Sequence, residues 1–244
     1  MNKISFYPFS DKTSLFAPKP EPATKFIPDW YKKQPGTIDE ANFIKQGGSS
    51  STVKRCMPIF DHMTAGYIIS LPCDIYVDAT NPEKIEWSVP MTMKPFGSDM
   101  ISSHAREQYD HYPVDKELYH RDLFRIMPFW AVKTPPGYSA IFTQPIHRDP
   151  VPFLAISALV DTDDFITDGH LSFLIKKDFV GVLKQGTPIM QVIPFLREDW
   201  EMELVDQQQA SREVQEQRMS EDMAKQVLKL SFQLSDEEVN ELFV

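Results

Sequence analysis

The stretch KTPPGYSAIFTQPIHRD, residues 133–149, decides how the middle of this chain is read. Proline holds φ near −65° and has no amide proton, and glycine reaches backbone angles that other residues avoid, so 134–137 is a turn. The runs on either side, FWAVK and YSAIF, are β-branched and aromatic, as strands are. The stretch closes on His147-Arg148-Asp149, an H-x-D triplet that is either half of a metal site or part of a loop.

Working outward, more segments read as strands. AGYIISLPCDIYVDA (65–79) has turn signals on both sides, and KIEWSVPM (84–91) puts Ile85, Trp87 and Val89 on one face. FLAISALVD (153–161) is an unbroken apolar run, expected of one strand buried on both faces. HLSFLIKKDF (170–179) and PIMQVIPFL (188–196) complete the set. Residues 102–124 are polar, tyrosine-rich and without clean period; a helical turn is expected near 114–123. The predicted fold is therefore mainly β, with a core over 53–200.

Residues 1–52 form a loop-rich, proline-rich N-terminal arm. Pro28-Asp29-Trp30-Tyr31 starts a short helical turn there, with both aromatics anchoring the arm, and GGSSS (47–51) is a hinge by composition. Residues 201–244 form a helical extension. Val214, Met219, Met223, Val227 and Leu230 give it an amphipathic stripe, and the capping box SDEE (235–238) opens a last short helix through Phe243.

The 244 residues are 42% apolar, enough for a sizeable core, and carry a net charge of −10. That charge argues against general nucleic-acid binding, which needs a basic footprint. Cys56 and Cys73 fit no zinc spacing and read as free thiols of a reducing compartment. No segment has the ~18 apolar residues of a membrane span, nor a signal-peptide core, so the expected location is the cytoplasm, or host cytoplasm or virion for a phage protein. His147/Asp149 and His120/Asp122 form H-x-D triplets, but the distal histidine an iron site needs would be His170, only 23 residues after His147. No metal is expected. Nucleophile-elbow, P-loop and dinucleotide fingerprints are absent.

Four fragments, in order, carry a resemblance: AGY (65–67), PPGYSAIF (135–142), SALVDTDDF (157–165) and KQGTPIMQVIPF (184–195). Together they resemble the dUTPase and dCTP-deaminase superfamily, whose fold is the β-clip, over residues 57–197. The resemblance implies that Asp161 is the hairpin aspartate that orients water, with Asp163 its partner, and that Gln191 is the glutamine of the G-x-x-I-x-Q strand. It also implies an acidic bend, 161–164, beside the 186–191 segment, and a homo-oligomer of the trimeric kind with tails crossing between subunits. Departures bear on activity. Where the family has a phosphate-gripping Arg-Ser-Gly, this chain has Pro145-Ile146-His147, and its G-D-R becomes Gly186-Thr187-Pro188. His147 and Arg148 are the substitute ligand-binding residues. IPDWYKKQPG and CMPIFDHMTAGYIISLPCDI also resemble an uncharacterised family of tailed-phage and bacterial proteins, a likeness that implies no activity.

The expected function is a divergent β-clip module that binds a nucleotide or a protein partner, without standard dUTP hydrolysis and without a cofactor. Two alternatives stay open. One is a nucleotide pyrophosphatase or deaminase using Mg²⁺, which requires Asp161, Gln191, His147 and Arg148 in one cleft. The other is a phage structural or assembly protein.

Overall fold

A computed structural model describes residues 2–9, 13–38, 51–90, 100–127, 129–166, 171–232, 235 and 239, with only the backbone for 13–14 and 227–232. The alternating segments form strands in four antiparallel sheets among these residues. In the first, β1 (Ser5–Pro8) pairs with β8 (Trp130–Lys133). The second has the order β10 (Phe153–Ala155), β12 (Leu171–Lys176), β7 (Tyr119–Ile126), β6 (Ile101–Ser103). The third runs β11 (Ala158–Val160), β9 (Tyr138–Thr143), β14 (Pro188–Leu196), β3 (Tyr67–Ser70), β2 (Glu21–Pro22). The fourth is β13 (Val180–Leu183), β4 (Ile75–Asp78), β5 (Glu86–Ser88). The chain is mainly β with few helices.

All four fragments singled out in the sequence enter the third sheet as neighbours. Ile141 of β9 stands between Leu159 of β11 and Ile193 of β14, and Val192 faces both Phe142 and Tyr67 of β3. The 134–137 turn is not a hairpin. β8 before it pairs with β1 and β9 after it pairs with β11 and β14, so the turn moves the chain from one sheet to another.

Three expectations are corrected. FLAISALVD is two short strands in different sheets, β10 and β11, and its break at Ile156 is held by the Ile156 amide, which donates a hydrogen bond to the Ser172 carbonyl at 2.8 Å. Apolar character alone did not show that the run changes partners. The helical turn expected at 114–123 is confined to 115–119, where the Leu118 and Tyr119 amides donate to the Asp115 carbonyl at 3.2 and 3.0 Å, and from Tyr119 the chain is the eight-residue β7, whose pairing with β12 outweighs local preference. MPIFDHMT, read as part of the β region, is the helix Met57–Thr64, opened by proline in its first turn, where no backbone hydrogen bond is lost.

One core unites all four sheets, with Val132 of β8 entering from the first. Ile69, Ala140, Phe142 and Val192 of the third meet Phe124, Ile126, Phe173 and Ile175 of the second and Ile75 and Val77 of the fourth. Phe153 and Phe173 pack edge to face with centroids 5.4 Å apart. Burying each such side chain contributes about 1.5–3 kcal/mol. The proline-rich arm is stitched into this body: β1 and β2 are sheet strands, and Trp30 Nε1 donates to the His147 carbonyl at 2.8 Å. Tyr31 Oη donates to the Lys54 carbonyl at 2.9 Å, and Trp130 Nε1 to that of Pro18 at 2.9 Å.

The chain divides into two compact units, 1–197 and 198–244. The second holds the helix Gln207–Phe232, capped where Asp206 Oδ1 accepts the Gln209 amide at 2.8 Å. Of its apolar stripe, Val214, Met219 and Met223 are exposed. The Val227 and Leu230 side chains, the 47–50 part of the hinge and most of the final capping box and helix lie outside the described residues. No described helix is long and apolar enough to cross a membrane.

Candidate functional site

The acidic bend follows β11 and packs on the end of β14, not on 186–191. The reason is register: β14 runs antiparallel to β9, so its last residues, not its first, meet the 137–139 corner from which β9 starts. There Arg197 closes a network. Its guanidinium donates to Asp163 Oδ1 at 2.8 Å and to Asp163 Oδ2 at 2.5 Å, and to Ser139 Oγ at 2.9 Å. It also pairs with Asp161 Oδ1 at 3.0 Å, an oxygen that accepts from Ser139 Oγ at 2.6 Å. The Gly137 amide of the Pro-Pro-Gly turn donates to Asp163 Oδ2 at 2.7 Å. Gly137 has φ +83°, a value that suits glycine, and this conformation aims its amide at the carboxylate. The Asp163 side chain is only 5% exposed, whereas that of Asp161 is 54% exposed.

Arg197 beside Asp163, with help from the Gly137 amide, holds the Asp163 carboxyl at about 2, below the ordinary 3.8. The same contact holds the Arg197 guanidinium above its usual value. A carboxyl with a depressed folded-state pKa stabilises the fold above about 3.8, and that stabilisation is lost as pH falls toward 2. Asp163→Asn is therefore expected to lower the melting temperature at about pH 7 and to flatten its fall between about pH 4 and 2. Melting curves across that range check this; an acid limb superimposed on the wild type would mean that Asp163 has no part in acid unfolding.

The other predicted residues lie at the opposite end of β14. Gln191 pairs with Thr143 while Leu196 pairs with Tyr138, and Gln191 is six residues, about 20 Å of extended chain, from Arg197. Gln191 is fully buried. Its Oε1 accepts the Ile146 amide at 3.0 Å, and its Nε2 donates to the carbonyls of Ala65 at 2.7 Å and His62 at 3.3 Å. It ties the 144–148 loop to the end of the Met57–Thr64 helix. His147 has φ +53° and packs its ring edge-on to His62, centroids 5.8 Å apart. Arg148 turns inward: Nη2 donates to the Met63 carbonyl at 3.0 Å, Nε and Nη1 are buried without a partner, and burial lowers its pKa. So His147, Arg148 and Gln191 are neighbours, Asp161 and Asp163 are neighbours, and the two groups do not share a cleft.

Among the described residues no three His, Cys, Asp or Glu side chains come together as metal ligands do. His170, the distal histidine of the first triplet, lies outside the described residues. The second triplet serves the fold: Asp122 Oδ1 accepts from Arg106 Nε at 2.8 Å and its Oδ2 from the Ile85 amide at 3.2 Å.

Sequence reasoning passed over a cavity of about 440 Å³, walled by the loop 79–82, the 109–116 excursion, the start of β7 and the β12–β13 turn. It is lined by three tyrosines and by Lys116, Arg121 and Lys177. Its walls are tied together. Tyr109 Oη donates to the Arg121 carbonyl at 2.5 Å and accepts the Leu123 amide at 2.6 Å, and burial pushes its phenol upward. Buried His120 accepts the Asp122 amide on Nδ1 at 3.0 Å, so Nε2 carries the proton donated to the Asn81 carbonyl at 2.9 Å. Arg106 links Asp122 to Glu83 through Nη1 at 3.1 Å and through Nη2 to the Glu83 carbonyl. In the turn, Asp178, at φ +59°, and Lys177 bond by their amides to the carbonyls of Ala79 and Leu118. The available signal was the clustering of tyrosine and basic residues in the aperiodic 102–124 stretch. Set against known proteins, no family model, no curated protein and no solved structure matches the chain.

Proposed function

We propose that this chain is a divergent β-clip module, akin to the dUTPase and dCTP-deaminase superfamily, that binds a small ligand and does not hydrolyse nucleotides. The side-by-side placement of the four resembling fragments, β11-β9-β14-β3, supports the fold reading. The observation that carries the function is the closed Arg197–Asp163–Asp161–Ser139 network. A water-orienting carboxylate must hold its water and take its proton, which needs a free and tunable oxygen. Asp163 has both oxygens bonded to Arg197; Asp161 keeps one oxygen unbonded among the described residues, but its other is held by Arg197 and Ser139 and its side chain stands 54% exposed on the bend, outside the cavity. The glutamine that would complete such a site is saturated at the other end of the strand. These two acids do not fit a Mg²⁺ site while Arg197 holds them, and no step of this reading passes through a metal. A concave cavity within the ~300–1,000 Å³ typical of small-ligand sites favours a small ligand over a protein partner.

Incubation with dUTP or dCTP and Mg²⁺ is the test, with release of pyrophosphate and ammonia followed. The expected result is neither product above a protein-free control, for the wild type and for Asp161→Asn alike. Turnover that disappears in Asp161→Asn would overturn the reading in favour of the enzyme alternative.

A further inference from the structure

We propose that the tyrosine-lined cavity takes a small planar anion, a ring system bearing one phosphate or carboxylate group, of about nucleoside-monophosphate size. This rests on the binding-module reading and gives it a site and a ligand class. The site is distinct from the acidic bend and from the Gln191 cluster, since no residue of either lines it.

Charge argues for an anion. Lys116, Arg121 and Lys177 line the cavity against Asp110 and Asp178, so three cations less two carboxylates leave +1, on a chain whose net charge is −10. The cations come from three separate segments, the excursion, β7 and the turn, so the folded chain and not a local run of sequence gathers them. Lys177 makes no ion pair among the described residues, and Arg121 only a 3.9 Å approach to Glu83 between exposed side chains. Such a contact contributes little, leaving both groups open to a ligand.

The tyrosines argue for a ring. Tyr109 has both hydroxyl bonds inside the protein and is held as a fixed wall. Tyr112 and Tyr119 line the cavity with hydroxyls that bond to no described residue, so they offer an aromatic surface and free donors together. Leu174, Val114 and Pro82 supply the apolar remainder. Asp110 and Asp178 add acceptors, which suit sugar hydroxyls or ring N–H groups and have no use for a bare aromatic acid.

The walls argue for a preformed site. His120 is the one imidazole of the lining, and both its nitrogens are bonded to backbone. A ring with both nitrogens so held cannot relay a proton to a ligand. The bonds from Arg106, Tyr109 and the turn fix the walls before any ligand arrives, so little ordering remains to oppose association.

Calorimetric titration of the full chain tests this with uridine and adenosine monophosphates, 4-hydroxybenzoate and inorganic phosphate. A nucleoside monophosphate is expected to bind, and phosphate alone to bind at least about tenfold more weakly. Tyr112→Ala and Lys177→Gln are each expected to weaken binding at least about tenfold. Both side chains are exposed, so the melting temperature without ligand is expected to hold. Binding of 4-hydroxybenzoate in preference to either nucleotide, with the same loss in the variants, would keep the cavity but overturn the ligand size and class proposed for it. Nucleotide binding that neither variant weakens overturns the cavity and leaves the module reading standing. Absence of binding by every probe overturns the cavity assignment too. Turnover of dUTP falls on the module reading alone, because the variants still read the cavity directly.

Discussion

Gly66→Ala is expected to destabilise the chain by on the order of 4 kcal/mol or more, a large effect for one added methyl group. Gly66 enters β3 at φ +68°, and a Cβ there would sit 2.1 Å from the Val192 carbonyl oxygen and 3.0 Å from Ile193 Cα. Those are backbone atoms of β14, so no side-chain rotation relieves the overlap. The strand must move, and with it the Val192–Tyr67 pairing and the bond from the Ala23 amide to the Gly66 carbonyl at 2.9 Å. The left-handed backbone alone costs alanine about 1 kcal/mol or more. At 2–4 °C per kcal/mol for a chain of this size, the melting temperature should fall by about 10 °C. A urea midpoint equal to the wild type would show that the two strands do not approach so closely.

Gln191→Leu is expected to cost about 3–4 kcal/mol even though leucine is similar in volume and more apolar. The substitution leaves the Ile146 amide and the Ala65 carbonyl without their partner at a fully buried position. Each orphaned group costs about 1–3 kcal/mol. Gln191→Glu should be worse, because a carboxylate would replace the Nε2 donor that now faces the carbonyls of Ala65, His62 and Met63. Denaturant unfolding of both variants separates the roles. A residue reserved for a ligand would leave stability near wild type and change only binding, so an undisturbed Gln191→Leu midpoint would refute its structural role.

Much of the fold was legible along the chain. Tyr138 to Thr143 and Pro188 to Leu196 are strands because their apolar residues alternate or run together between turn residues. The 29–33 helical turn and its anchoring aromatics follow from proline, aspartate and two large rings in sequence. The candidate site was less legible. Asp161 and Asp163 were located as an acidic bend, but their partner Arg197 lies 34 residues beyond Asp163 and no local pattern points to it. Gln191 was located on its strand, yet an isolated glutamine carries no sign of whether it faces a ligand or a buried loop.

What the residues determine locally is where the chain extends, bends or coils, because those preferences come from each residue's own backbone and its nearest neighbours. Partnership is settled at a distance. Only the tertiary structure decided that FLAISALVD divides between two sheets, that Arg197 closes on Asp163, and that Tyr109, Arg121 and Lys177 line one cavity. These contacts join segments far apart in the chain, and their energies depend on registers and side-chain directions that arise only once the sheets have packed.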